Sequence, residues 1–301
     1  MTMASFIAID WGSSAFRAFL IGDEGTSLAR ISTDDGVLMT GNKSFLQVLE
    51  ANCGRWLAEH GTMPIIMSGM IGSRNGWQET DYMPCPVSAD SLAHNPVTID
   101  NDGELTIRIV PGVSGPNMFG GLDVMRGEEV QVFGALAALG LDTALVCLPG
   151  THSKWCIVET GAIASLTTFM TGEIFALIRR ESSISSLIED EKFDQTSFMQ
   201  GTEAGRSKAG LLNKLFSIRA SVLLDDLHCL SRASYLSGML IGREIMAVTA
   251  ALGTVDDVIL VGNEALTHRY VAALGEQNVQ AVSVEADKAF LKGISLLRDT
   301  S

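Results

Sequence analysis

The sequence predicts a mixed α/β chain of two similar lobes, on three observations. A buried strand, a polar glycine-containing turn and a second strand at residues 6–21 return at residues 144–158, the mark of an internal duplication. Apolar strand-like runs are mixed with stretches of helical periodicity in both halves. With 301 residues and 47% hydrophobic content, the chain has enough apolar side chains for two cores of about 150 residues each.

Taken in order, residues 6–9 form a buried strand, 10–14 a tight turn and 16–21 the returning strand. A helix is expected over 44–59, a strand over 64–68, and a glycine-punctuated loop over 69–77. Alternation marks a strand at 105–110, and 128–139 has helical periodicity. The second hairpin comprises the strand 144–148, the turn 149–154 and the strand 155–158. Helices are expected at 202–215, 219–230 and 233–252, then a strand at 258–261 ending in Gly262. A helix at 264–274, a strand at 279–284 and a helix at 287–298 complete the pattern. No low-complexity segment marks a linker, so the repeat sets the boundary: residues 1–140 for the first lobe and 141–301 for the second.

Thirty-five acidic against 21 basic residues leave a net charge of -14, which repels phosphate backbones and anionic lipid headgroups. Nucleic acid and membrane are therefore not expected as partners. A small molecule is, and a homo-oligomer stays open. Five cysteines (Cys53, Cys85, Cys147, Cys156, Cys229) form no CxxC pair and are odd in number, which points to reduced thiols in a cytosol. Residues 1–5 carry no basic group ahead of a short apolar run. The longest apolar stretch, 132–148, is interrupted by Gly134, Gly140 and Asp142, so neither export nor a membrane span is expected.

Asp10 ends a buried strand and is followed by Gly12, Ser13 and Ser14. A carboxylate so placed suits a hydrated magnesium ion, and the backbone N–H groups beside it suit phosphate oxygens; an Asx-turn is the plainer alternative. The second hairpin presents Gly150, Thr151, His152 and Ser153, and two such tips can hold both ends of a phosphate chain. Gly262 after its strand lets a flat base or ribose lie against the backbone.

These residues resemble the first phosphate motif of the sugar-kinase, heat-shock-protein-70 and actin superfamily, here Ile7-Ala8-Ile9-Asp10-Trp11-Gly12-Ser13-Ser14 continuing to Arg17. Within it, the chain is similar to the 2-dehydro-3-deoxygalactonokinases. The segments that carry the likeness are 9–13, 68–73, Gly76-Trp77, 110–112, Met125-Arg126-Gly127-Glu128-Glu129, Pro149-Gly150-Thr151-His152-Ser153-Lys154-Trp155 and Met170-Thr171-Gly172-Glu173. The resemblance implies two duplicated lobes of the actin-like ATPase (ribonuclease H-like) type around a central nucleotide cleft. It implies ATP and Mg2+ as cofactors, and phosphoryl transfer to the 6-hydroxyl of 2-dehydro-3-deoxy-D-galactonate. The chain departs from the superfamily in having Leu148-Pro149 where many members carry an aspartate, and Gly262-Asn263-Glu264 in place of a double glycine.

On this reading Asp10 is the metal ligand and a catalytic carboxylate, with Glu128 and Glu129 as further catalytic candidates. Those two also fit as ordinary first-turn acids of a helix. Gly12, Ser13, Ser14, Arg17, Gly150, Thr151, His152, Ser153, Lys154, Gly262 and Asn263 are the expected nucleotide contacts. Lys154 and His152 either neutralise the transferring phosphate, or Lys154 is simply solvated and His152 only braces the turn. Gly69, Met70, Ser73, Arg74, Trp77, Arg126 and Glu173 are the expected sugar-acid contacts. Arg17, Arg74 and Arg126 are the groups able to hold a carboxylate by two parallel hydrogen bonds, and Arg126 leads them. Trp77 either covers the sugar or anchors the loop.

A P-loop is excluded because Asn42 stands where its lysine must fall, and the dinucleotide, zincin and nucleophile-elbow signatures are absent. Two alternatives stay open: a phosphoanhydride hydrolase on the same fold, and a sugar-acid sensor without turnover. The sequence does not distinguish epimeric acids.

Overall fold

Phe6, Ile7, Ala8 and Ile9 are wholly buried, as expected of an apolar run that forms an interior strand. In the structure, a computed structural model describing residues 3–100, 105–188, 192–224 and 231–298, this run lies in β1 (Ala4–Trp11). β2 (Phe16–Gly22) and β3 (Ser27–Thr33) follow. Asp10 and Trp11, expected in the turn, belong to β1, so the tip is shorter than its composition suggests.

Helix α1 (Phe45–His60) starts where Ser44 and Gln47 form a reciprocal capping box. β4 (Ile65–Ser68), β5 (Tyr82–Pro84), β6 (Val87–Ser88), α2 (Ala89–Ala93), β7 (Val97–Ile99), β8 (Ile107–Ile109), β9 (Gly112–Pro116), β10 (Leu122–Met125) and α3 (Glu128–Leu139) come next. Then come β11 (Ala144–Leu148), β12 (Ser153–Glu159), β13 (Ala162–Phe169), α4 (Thr171–Glu181), α5 (Gln195–Gly205), α6 (Leu211–Leu223) and α7 (Arg232–Leu252). The order closes with β14 (Asp257–Gly262), α8 (Glu264–Gly275), β15 (Gln280–Glu285) and α9 (Ala286–Leu296).

The chain divides into two compact units: Met1–Ala144 with Cys156–Leu166 and Glu285–Ser301, and Leu145–Trp155 with Thr167–Val284. In the first unit the sheet runs β3-β2-β1-β4-β8-β7, with β1 antiparallel to β2 and parallel to β4. A small sheet, β10-β9-β5, stands apart from it. Ile7, Ile9, Trp11, Leu49, Ile65 and Met67 share one core in this unit. Helices α3 and α9 touch backbone to backbone: a Cβ on Gly134 would lie 1.7 Å from Ala289 O, and one on Gly293 would lie 1.9 Å from Val130 O.

In the second unit β11 lies parallel to β14, with Val146 opposite Ile259, and β15 flanks β14. Helices α5 and α7 cross as closely as α3 and α9, since a Cβ on Gly238 would fall 1.9 Å from Phe198 O. By length and composition α7 could cross a membrane, but 56% of its most apolar window is buried, as in a core helix.

The helices expected at 202–215 and 219–230 are corrected. α5 ends at Gly205 with Arg206 as its C-cap, and α6 starts after Gly210, whose φ of 79° breaks the run. Residues 225–230, with Cys229, lie outside the described residues. Cys53, Cys85, Cys147 and Cys156 are free thiols.

Candidate active site

The expected residues fall in both units. In the first unit, Asp10 on β1 is the register partner of Arg17 on β2 and of Ser68 on β4. The Arg17 guanidinium donates to Asp10 Oδ2. Its Nη1 also donates to Asp287 Oδ1 at 3.3 Å, and Arg30 reaches Asp287 Oδ2 at 2.8 Å. The Asp10 side chain is 12% exposed. Burial pushes its carboxyl above the ordinary range, against the lowering pull of Arg17.

At the adjoining tip, Val37 N–H donates to Gly12 O and Leu38 N–H to Ser13 O, so the 36–39 segment braces the turn from behind. The Ser13 and Ser14 N–H groups donate to nothing among the described residues.

Two glycines bring the ends of β4 and α3 together beside Asp10. Gly69 has a φ of 96°, and a Cβ there would lie 2.8 Å from Trp11 O and 3.4 Å from Asp10 Oδ1. Gly127 has a φ of 105°, and its Cβ would lie 2.9 Å from the Gly69 Cα. Only glycine fits both positions without strain.

At the α3 N-terminus, Glu128 Oε2 accepts from Arg126 N–H at 3.0 Å, and both Glu129 oxygens accept from Gly127 N–H at 2.8 Å. Glu129 is fully buried, and burial with the neighbouring Glu128 charge pushes it up to about 8. Arg126 is 8% exposed. It stacks over Tyr82 at 4.2 Å, donates from Nη2 to Thr80 O at 2.9 Å and from Nη1 to Thr80 Oγ1. Its Nε, with Ser68 Oγ and Ser73 Oγ, is buried without a partner. Met70 packs on the core in a single 3-10 turn, and Arg74 is exposed. Trp77 stacks on Phe45 at 6.3 Å.

In the second unit the tip is Gly150–His152. Ser153 and Lys154, expected in the turn, already belong to β12. Lys154 is 7% exposed and its Nζ donates to Thr168 Oγ1 at 2.8 Å, while the wholly buried Ser153 meets the Tyr270 hydroxyl at 2.8 Å. His152 Nε2 contacts Glu173 Oε2, and Glu173 N–H donates to Thr151 O at 2.9 Å. Gly172 is pressed on this tip, with a Cβ there 2.4 Å from Gly150 O. Asn263 caps α8 through Leu266 N–H at 2.9 Å, and Gly262 faces Pro149 O, 3.7 Å from where its Cβ would be. A cavity of about 70 Å³ opens here, lined by Gly150, Thr171, Gly172, Leu240, Arg269 and Tyr270. A wider groove of about 700 Å³ along α5, at Gln200, Glu203, Arg206 and Lys214, holds none of the expected residues.

Sequence reasoning missed Glu244 on α7. It is 3% exposed, and it accepts from Trp155 Nε1 at 2.8 Å, from the Tyr270 hydroxyl at 3.0 Å and from Thr171 Oγ1. Burial pushes it up to about 7. The only signal was one acid in an otherwise apolar helical face.

The solved activator of the 2-hydroxyisocaproyl-CoA dehydratase from Clostridium difficile, with bound ADPNP, matches at a TM-score of 0.53 and 11% identity, over 98% of this chain and 93% of its own. That likeness shows the fold, mixed α/β of the actin-like ATPase type, as expected from the sequence. A solved structure from Sinorhizobium meliloti, named for 2-dehydro-3-deoxygalactonokinase, matches at a TM-score of 0.89 and 36% identity over 97% of each chain. A probable 2-dehydro-3-deoxygalactonokinase of Rhizobium meliloti (strain 1021) is 37% identical, over 98% of this chain and 96% of its own. The 2-dehydro-3-deoxygalactonokinase of Escherichia coli (strain K12) is 32% identical, over 97% and 96%. The pattern of the family described as 2-keto-3-deoxy-galactonokinase matches residues 10–297, from the Asp10 carboxylate to the end of α9, and the chain belongs to that family.

Proposed function

We propose that the chain transfers the γ-phosphoryl group of ATP to the 6-hydroxyl of 2-dehydro-3-deoxy-D-galactonate, giving the 6-phosphate and ADP in galactonate breakdown. Family membership supports the reaction class, and the names of the relatives support this acid. The observation that carries the sugar-acid assignment is Arg126. A buried guanidinium normally sits against a carboxylate, because an uncompensated charge is costly away from water. Among the described residues Arg126 forms no ion pair, and its Nε is unpartnered. Glu129, whose field it feels, is held mostly protonated near neutral pH. A substrate carboxylate supplies the missing charge, with the Ser68 and Ser73 hydroxyls as further unpartnered groups.

Phosphoryl transfer needs positioning, charge neutralisation and somewhere for the hydroxyl proton to go. Asp10, partly exposed at its strand end, is the carboxylate we assign to the metal and the reacting groups. Magnesium keeps several waters and takes one or two carboxylates plus phosphates, and a lone Asp10 fits that demand. When bound, the ion neutralises phosphate charge. Glu128 and Glu129 then serve by fixing the Arg126–Gly127 backbone, and Arg17 sets the Asp10 rotamer. In the second unit, the Gly150–His152 tip, Lys154 and the Gly262–Asn263 turn are assigned to the nucleotide. Free thiols and the demand for ATP support a cytosolic setting.

The test is ADP release with MgATP against 2-keto-3-deoxy sugar acids, with the galactonate and gluconate epimers and a water-only control. Turnover with the galactonate-derived acid is expected. ADP release without sugar overturns the reading in favour of a hydrolase, and silence throughout in favour of a sensor.

A further inference from the structure

Glu244 is the one acidic residue of α7, and it is buried without a cation against it among the described residues. An ion in that setting is a poor way to gain stability, since an apolar residue of similar size commonly does as well or better. Its hydrogen bonds indicate another role. The indole N–H of Trp155 can only donate. The tyrosine O–H of Tyr270 donates to Glu244 and lies 2.8 Å from the Ser153 hydroxyl, and Thr171 adds a third donor. Three donors on one carboxylate favour its ionised form, while burial works against it.

Each donor stands on a segment assigned above to the nucleotide or pressed against one. Ser153 and Trp155 begin β12 directly after the Gly150–His152 tip. Thr171 precedes Gly172, which is packed on Gly150 O, and Glu173, whose N–H holds Thr151 O. Tyr270 lines the small cavity from α8, the helix that starts at Asn263. One side chain from a helix outside the tip thus fixes three segments that are far apart in sequence.

We propose that Glu244 is a positioning residue for the nucleotide: it never touches the ligand, but through Trp155, Thr171 and Tyr270 it holds the Gly150–His152 tip and the cavity beside it in binding geometry. This rests on the nucleotide role assigned to the second unit.

The test compares wild type, Glu244→Gln and Tyr270→Phe. Equilibrium binding of MgADP is measured together with KM for MgATP, KM for the sugar acid, kcat and Tm. Glutamine keeps the volume and one acceptor but turns its NH2 group toward a donor. The expected result is a rise of about tenfold in the MgADP Kd and in KM for MgATP, with the sugar-acid KM and the Tm unchanged. Tyr270→Phe, which removes the tyrosine donor to Glu244 together with its contact to Ser153 but leaves Trp155 and Thr171 in place, is expected to give about a threefold rise. Unchanged nucleotide constants in Glu244→Gln overturn the inference, as does an equal loss for both substrates with a lowered Tm, the mark of a purely structural role. Wild type that binds MgADP but turns over no sugar acid overturns the kinase reading and leaves this inference standing. Wild type that binds no nucleotide overturns both.

Discussion

Asp10 and Ser68 are register partners on adjacent parallel strands, yet the carboxylate is gripped by Arg17 while the hydroxyl is buried with no partner. A buried unsatisfied hydroxyl costs about 1–3 kcal/mol. Ser68→Ala is therefore expected to raise stability in urea unfolding while lowering kcat/KM for the sugar acid. A variant that is both less stable and fully active would show that the hydroxyl has a partner in the folded chain and none in the substrate.

The contact between Gly69 and Gly127 makes a sharper demand. Gly127→Ala combines a left-handed φ with a 2.9 Å approach to a backbone carbon, and about 1–3 kcal/mol of stability should be lost, with activity falling as Asp10 and α3 are forced apart. Gly140→Ala is the control, since its φ is also positive but nothing lies within 4 Å. It should cost about 1 kcal/mol and leave turnover intact.

Replacing Asp10 by Asn removes the charge and keeps the shape. By the scale of single preorganised contacts, kcat should fall by about 10²- to 10³-fold while the melting curve stays near wild type. Steady-state kinetics beside circular dichroism melts would decide this.

Arg126→Lys is not a conservative change, because lysine has no planar fork for Thr80 or for a carboxylate. KM for the sugar acid is expected to rise by roughly 10- to 100-fold, with KM for ATP unchanged. A rise in both would move Arg126 from substrate binding to bracing of the loop.

Glu129 should leave its mark on the pH dependence of stability. Its folded value near 8 lies above the ordinary 4.5, so between those values the native chain holds more protons than the unfolded one, and stability falls as pH rises across that window. Glu129→Gln is expected to make the decline in Tm shallower between pH 5 and 8. It should not abolish the decline, because Glu244, raised to about 7, acts with the same sign.

The elements legible in the sequence were those whose burial is periodic. Helix α3 and strand β11 have the bounds expected from their apolar patterns. Strand β3 went unread because it is an edge strand with no fully buried position, and α4 because none of its residues is fully buried. The break between α5 and α6 was hidden by a periodicity that runs on through Arg206 and Gly210. In the candidate site, loops with glycine and hydroxyl groups announced themselves by composition. Glu244 did not, since a lone acid in a helix reads as a solvent-facing group until the donors from β12, α4 and α8 are seen to converge on it.

The first unit is discontinuous, and this bears on how the chain is made. Its α3 is seated against α9 through Gly134 and Gly293, and α9 follows the whole of the second unit. A chain emerging residue by residue from the ribosome must therefore carry the apolar face of α3 uncovered until α9 has been synthesised. A stop codon placed just before α9 would leave the Asp10 side of the protein unfinished although every residue proposed to touch the substrate had already been translated.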